Sequence, residues 1–353
     1  MIKENIIEKL KKLMSYTTVD GNNNEFDKLF DYIKITMPKH LNFKEYEFNG
    51  KKSLVLSNTE DLNLDVIFAT HIDVVPAKDY SFKEDEKNVY GRGTIDMKGQ
   101  VAVCLELLFN HEYKQKVAMF ITSDEEIDGN CVKQLLKTYN TKLAIVPDGG
   151  NNFKLIEEEK GLLQLKVKVS GKPAHASQPY NGENAIIKAM NIYNELIKKH
   201  PLPTSDADYK TSINLSCMKA GEALNQVPFE AFMMLDIRNT SENTHESLID
   251  EIKSFDCEVE VLNEGILFKT DVTNKKIQEY LEICNEILDE EVEILKVAST
   301  SDAIYFSEKN IPTILMNPYG NYAHCDNEYA SKDGYLKLYE IYEKFMEKGE
   351  ENE

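Results

Sequence analysis

Seven side chains have the types and spacing for metal-dependent hydrolysis: His71 and Asp73, Asp96, the pair Glu125-Glu126, Asp148 and His324. His71-Ile72-Asp73 follows the apolar run Val66-Ile67-Phe68-Ala69-Thr70. A ligating imidazole usually gives its second N–H to an acidic partner, so His-x-Asp suits a metal ligand and the group that orients it. Asp96 sits in a glycine-flanked turn, Gly91-Arg92-Gly93-Thr94-Ile95-Asp96-Met97-Lys98-Gly99. One zinc takes about three or four N/O ligands. Two histidines and three carboxylates therefore suit two metals sharing one bridging carboxylate, with one of the adjacent glutamates left to move protons.

Taken singly, each residue has a plainer reading. His71 alone would be structural, Asp73 a turn or cap residue, and Glu125-Glu126 solvated charge ahead of a helix. Asp148 before Gly149-Gly150 would be turn chemistry. Only the set of them points to metals.

The elements around these residues alternate. Helical spacing is read over Ile2–Met14 and again through Phe26, Leu29, Phe30 and Ile33. Strands are expected near Phe43–Phe48 and Leu54–Leu56, then at residues 64–70, Val117–Thr122 and Leu143–Val146, with helices after Gln100 and around 130–138. This predicts an α/β domain whose sheet carries helices on both faces. His71, Glu125-Glu126 and Asp148 each follow a predicted strand, and ligands in such sheets bind at the carboxyl ends of the strands. From about Gly161 the pattern changes to β-α-β-β-α-β, the ferredoxin-like order, before α/β character resumes near residue 274. The expected division is an α/β domain, 1–160 and 270–353, interrupted by an inserted domain, 161–269.

Composition limits the function. The chain has 353 residues with 29% charged and 42% hydrophobic, ordinary for a globular protein. Its net charge of −20 argues against a nucleic-acid partner, because phosphate binding is driven by Lys and Arg. No run approaches the roughly 18 apolar residues of a membrane span. The opening residues lack a leader's apolar core, and the six cysteines are scattered without paired spacing. Free thiols in the cytoplasm are expected. Gly91-Arg92-Gly93 lacks the third glycine of a dinucleotide fingerprint, and no phosphate-binding loop motif occurs.

Several stretches together resemble the dinuclear zinc peptidase and deacylase family, which includes glutamate carboxypeptidase, succinyl-diaminopimelate desuccinylase, acetylornithine deacetylase, aminoacylase and bacterial dipeptidases. They are Thr70–Pro76, Tyr90–Gly99, Asp124-Glu125-Glu126, Gly171-Lys172-Pro173-Ala174-His175-Ala176-Ser177, Asn225-Gln226-Val227-Pro228 through Arg238, and Ser301-Asp302-Ala303. The resemblance implies two Zn²⁺ per subunit, with Co²⁺ or Mn²⁺ as substitutes. His71 and Asp148 would hold one ion and Glu126 and His324 the other, with Asp96 bridging and Asp73 orienting His71. Glu125 would be the general base. It also makes 1–160 and 270–353 a catalytic zinc-hydrolase domain and 161–269 a lid or dimerisation domain, and it implies a cis peptide after Asp96, an oxyanion-stabilising His175 acting across a homodimer, and a substrate-carboxylate clamp of Arg238 with Asn225. On the residues alone, His175 is equally a surface loop residue, and Arg238 could pair with Asp236 or Glu242.

The resemblance implies cleavage of an amide bond in a small peptide or N-acyl amino acid. Asp148 stands where many deacylase and carboxypeptidase relatives carry glutamate and several dipeptidases carry aspartate, which tilts the expectation toward peptides. A desuccinylase or deacetylase is the alternative. A metal-binding homologue without turnover would lack the base or the bridge, and both Glu125 and Asp96 are present. Ser301-Asp302-Ala303-Ile304 lacks the arginine that ends this motif in relatives.

Overall fold

The structure is a computed structural model that describes residues 1–351 other than 128 and 206. It forms two compact units, one of residues 1–157, 270–295 and 301–353, the other of 158–269 and 296–300.

The first unit is built on a six-stranded sheet. Its strands are β1 (Asn42–Phe48), β2 (Lys51–Ser57), β3 (Asn63–His71), β4 (Val117–Thr122), β5 (Asn140–Val146) and, after the second unit's β6–β9, β10 (Thr313–Leu315). The order is β1-β2-β4-β3-β5-β10. The strands β4, β3, β5 and β10 run parallel, and β1 and β2 add an antiparallel edge. Every residue from Val66 to His71 and from Val117 to Thr122 is buried, as strands covered on both faces require.

The alternation along β3 assigns its two faces. Val66 and Phe68 join a core with helices α1 (Ile2–Met14), α3 (Lys98–Asn110), α7 (Lys275–Leu288) and α9 (Lys332–Glu351). There the Phe68 and Tyr342 rings meet edge-on at 5.2 Å. Ile67 and Ala69 point the other way and are just as buried. On β4, Phe120 packs edge-on against Tyr139, which follows helix α4 (Asn130–Leu135). That helix ends earlier than the expected 138.

The second unit holds strands β6 (Gly161–Ser170), β7 (Ser212–Ala220), β8 (Glu230–Asn239) and β9 (Glu258–Gly265), with helices α5 (Ala185–Lys199) and α6 (His245–Lys253). The order β7-β8-β6-β9, antiparallel throughout, is the ferredoxin-like arrangement. Leu163, Leu165, Val167 and Val169 alternate inward from β6 onto Ala189, Ile192 and Leu196 of α5 and Leu248 and Ile252 of α6. Strand β8 starts at Glu230, beyond Pro228, which has no N–H to give to a ladder. Among the described residues, no helix is long and apolar enough to cross a membrane.

Candidate metal centre

The parallel strands deliver the acidic and imidazole groups to one edge of the sheet. His71 is the last residue of β3 and is in register with Thr122, the last of β4. Asp124, Glu125 and Glu126 follow β4, Asp148 follows β5, and His324 lies beyond β10. Tyr322 and His324 hold positive φ angles of 63° and 65°, a costly conformation for residues with a Cβ and one found often at functional sites.

Asp96 stands between the two histidines. Its Oδ1 is 3.1 Å from His71 Nε2, and its Oδ2 is 2.8 Å from His324 Nε2. His71 Nε2 also lies 3.8 Å from Asp148 and 4.0 Å from Glu125. His324 Nε2 lies 3.1 Å from Glu126. The donor atoms of His71, Asp96 and Asp148 all fall within 4.8 Å of one another, as do those of Asp96, Glu126 and His324. Two triads therefore share one carboxylate. The Asp96–Met97 peptide is cis.

Asp73 serves both neighbours. Its Oδ1 is 3.4 Å and its backbone oxygen 3.0 Å from His71 Nδ1, while Oδ2 accepts a 2.9 Å bond from the Glu126 amide. This leaves Nε2 as the nitrogen of His71 that faces the cluster.

The electrostatics fit divalent cations. Burial pushes Glu125 well above the ordinary carboxylate range, and the charge of Asp148 adds to the effect. Asp148 rises to about 7, by burial and then by the charge of Asp96. Asp302, buried nearby, is likewise driven up by burial and by Asp124. Burial opposes the charged form of both Asp96 and His71, yet His324 and His71 hold Asp96 below the usual carboxylate range, and Asp73 and Asp96 hold His71 above the usual imidazole range. His71 Nε2 and Glu126 Oε1 are buried without a well-formed hydrogen bond among the described residues. Unbonded buried ligand atoms within a crowd of carboxylates are what a cation would satisfy, and the imidazole and carboxylate donors suit zinc and similar ions.

The remaining predicted residues belong to the second unit. His175 is exposed; its Nδ1 accepts a 3.2 Å bond from the Ser177 amide. Asn225 is joined to the same segment, its backbone oxygen accepting from Ala176 N at 2.8 Å. Arg238 on β8 bonds Asp236 at 2.9 Å, so its guanidinium is engaged within its own strand. His40, His111, His200 and His245 each bond side chains or backbone outside the cluster.

Sequence reasoning missed several residues here. Arg92 and Asp302 lie within the family-like stretches, yet neither their types nor their spacing marks a role, and the same holds for Glu328. Lys98, buried and pushed down to about 7 by that burial, donates to Tyr16 O at 2.7 Å and Leu13 O at 3.3 Å at the end of α1.

Known proteins resemble this chain in sequence and in fold. A family model described as peptidase family M20/M25/M40 matches residues 67–348. The LysW-lysine/LysW-ornithine hydrolase of Saccharolobus solfataricus is 28% identical over 311 residues, covering 86% of this chain and 83% of its own. The probable succinyl-diaminopimelate desuccinylase of Staphylococcus aureus is 24% identical over 379 residues, covering 91% and 92%. Among solved structures, a Staphylococcus aureus tripeptidase superposes with a TM-score of 0.73 at 18% identity, covering 98% of this chain and 99% of its own. Aminopeptidase PepT from Bacillus cereus gives 0.76 at 18% identity, covering 98% of each. These two establish a shared fold.

Proposed function

The chain belongs to peptidase family M20/M25/M40, and from that premise we propose a hydrolase that holds two zinc ions per subunit and cleaves an amide bond in a short peptide or an N-acyl amino acid. The observation that carries this reading is Asp96, which turns one oxygen to His71 and the other to His324. His71 and Asp148 would hold one ion, Glu126 and His324 the other, and Asp96 both. Bound there, the ions would supply Lewis acidity toward the substrate carbonyl and lower the pKa of water. Co²⁺ or Mn²⁺ would suit the same donors.

Glu125 is the proposed base. Burial raises its proton affinity, so it can take a proton from the attacking water and return it to the departing amine. One carboxylate thereby closes the proton count. Asp73 orients His71 and holds the Glu126 backbone. In His175, Nδ1 accepts from Ser177 N, so in the neutral ring the proton sits on Nε2, the nitrogen that would donate to the oxyanion. That role is proposed to operate across a homodimer formed through residues 161–269. Arg238 and Asn225 are the proposed substrate-carboxylate contacts, and Arg238 would exchange Asp236 for the substrate. Free cysteines are in keeping with a cytoplasmic setting.

Asp148 favours a peptide substrate with a free amino group, and the tripeptidase and aminopeptidase of similar fold lean the same way. The desuccinylase relative favours the second reading, an N-acyl amino acid. A hydrolysis panel on the Zn²⁺- or Co²⁺-loaded protein decides between them, comparing di- and tripeptides with N-acetyl and N-succinyl amino acids. Peptides are the expected substrates, and turnover confined to acylated compounds would reverse the preference. Glu125→Gln should lower kcat roughly 10²–10⁴-fold with metal content retained. Undiminished turnover in that variant removes the proposed base.

A further inference from the structure

Glu328 takes no part in the chemistry above, yet its side chain is only 1% exposed. Its Oε1 accepts from the backbone amides of Gly93 at 2.8 Å, Ile95 at 3.0 Å and Asp96 at 3.4 Å. Its Oε2 meets Arg92 Nη1 at 2.6 Å. Arg92, also buried, sends its other bonds to the backbone oxygens of Val75 at 3.2 Å and Cys325 at 3.5 Å. Val75 lies four residues past His71, Cys325 adjoins His324, and the three amides lead into Asp96. One buried ion pair thus fastens the backbone of the segments that carry three of the five proposed ligands.

We propose that Arg92 and Glu328 are positioning residues that set the spacing of the two cation triads before a cation arrives. A charged pair withdrawn from water persists only when its remaining donors and acceptors are satisfied. Here both carboxylate oxygens are occupied, and the guanidinium reaches two carbonyls as well as the carboxylate. Loosening any one of the three segments breaks a charge-assisted bond in a dry environment, so the pair favours a single arrangement of His71, Asp96 and His324. Groups that hold ligands in place typically govern metal affinity 10–100-fold. The inference rests on the metal-site reading of the preceding subsection.

Glu328→Gln tests it with little change of shape. An amide has one acceptor oxygen, so either Arg92 or the three backbone amides must then face an NH₂ group, donor against donor. Arg92→Lys keeps the charge but replaces the planar fork, whose Nε and Nη1 aim at separate acceptors, with a single nitrogen that cannot stand in both places. The probe is Co²⁺ alone, titrated into the metal-free full-length protein against a competing chelator, with melting followed in parallel. Ile6→Ala, a truncation in α1, supplies a control for lost stability. Both Glu328→Gln and Arg92→Lys should bind Co²⁺ about 10–100-fold more weakly than the parent, while Ile6→Ala keeps the parent's affinity below its melting range. If Glu328→Gln does not fold, Arg92→Lys carries the same comparison. Parent-like Co²⁺ affinity in a folded variant overturns the proposal, as does an equal loss in Ile6→Ala. A parent that binds no Co²⁺ removes the metal reading itself, an outcome distinct from equal binding by parent and variants.

Discussion

His324 is the half-exposed member of the centre, and its ionisation gives the clearest pH signature. The Asp96 carboxylate, and after it Glu126, raise its imidazole to about 10. An imidazole raised above its usual value of roughly 6.5 stabilises the metal-free fold while protonated. That contribution is complete below the unfolded value and is lost as pH climbs through about 10. A cation can take Nε2 only after the proton leaves, so metal affinity should rise with pH between about 6.5 and 10. Calorimetric titration of Co²⁺ near pH 7.5, in buffers of different ionisation enthalpy, should register release of roughly one to two protons. A buffer-independent heat would mean that the histidines are not ligands. Histidines and carboxylates at strand ends were readable because the chemistry restricts which residue types can serve. Arg92 and Glu328 were not readable, because they act by charge pairing across 236 positions and neither residue type is specific to that task.

The element that sets the centre's geometry is the segment Gly91–Gly99. It enters from the short strand Asn88–Tyr90, paired antiparallel with Tyr329–Ser331, and leaves as α3. Its carbonyls are held as firmly as its amides: Tyr335 donates to Thr94 O, and Gln100 to Ile95 O. Gly99 sits at the crossing. A Cβ there would fall 2.2 Å from Tyr335 Oη and 2.3 Å from Thr94 O. The tyrosine could shift, but the tethered carbonyl has nowhere to go. Gly99→Ala should therefore destabilise the fold by about 1–3 kcal/mol in urea unfolding. Adding Tyr335→Phe relieves the Oη clash but also removes the donor to Thr94 O, so it should recover only part of that loss. An unchanged midpoint for Gly99→Ala would mean that the segment yields more easily than its bonds suggest. The long buried strands β3, β4 and β5 were legible as continuous apolar runs. The Asn88–Tyr90 and Tyr329–Ser331 pairing was not, because three residues carry no usable period and their partners lie far along the chain. The helix expected to reach 138 stops at Leu135, where the apolar pattern of Leu136 and Tyr139 continues through a turn rather than a helix.

At the scale of the whole molecule, the division into units gives a boundary that can be tested. Residues 158–269 own a separate core, from Leu163 on β6 to Ile252 on α6. The two ends of the stretch pair antiparallel, Phe268 with Glu159 and Lys269 with Glu158, so an excised fragment would have adjacent termini and no long gap to close. We expect residues 158–269 alone to unfold in one cooperative urea transition. The sequence pattern suggested starting at 161 instead, and Glu158 is the reason the earlier start matters. Its carboxylate, 1% exposed, accepts from Ser241 N at 2.7 Å and Ser241 Oγ at 2.8 Å. Burial works against the charge, but these bonds, with Lys296 and Lys269 nearby, keep the group below the usual glutamate range. A depressed carboxyl contributes its full stability above its unfolded pKa and loses it as pH falls from there through the lower folded value. Removing residues 158–160 takes away the buried carboxylate to which Ser241, itself exposed, donates, so the 161–269 fragment should be less stable at neutral pH by about 0.5–1.5 kcal/mol. The difference should shrink as pH drops below about 4.5. Equal stability of the two fragments at pH 7 would place Glu158 outside the unit's cooperative core, and a broad transition in both would mean that the inserted unit depends on the rest of the chain.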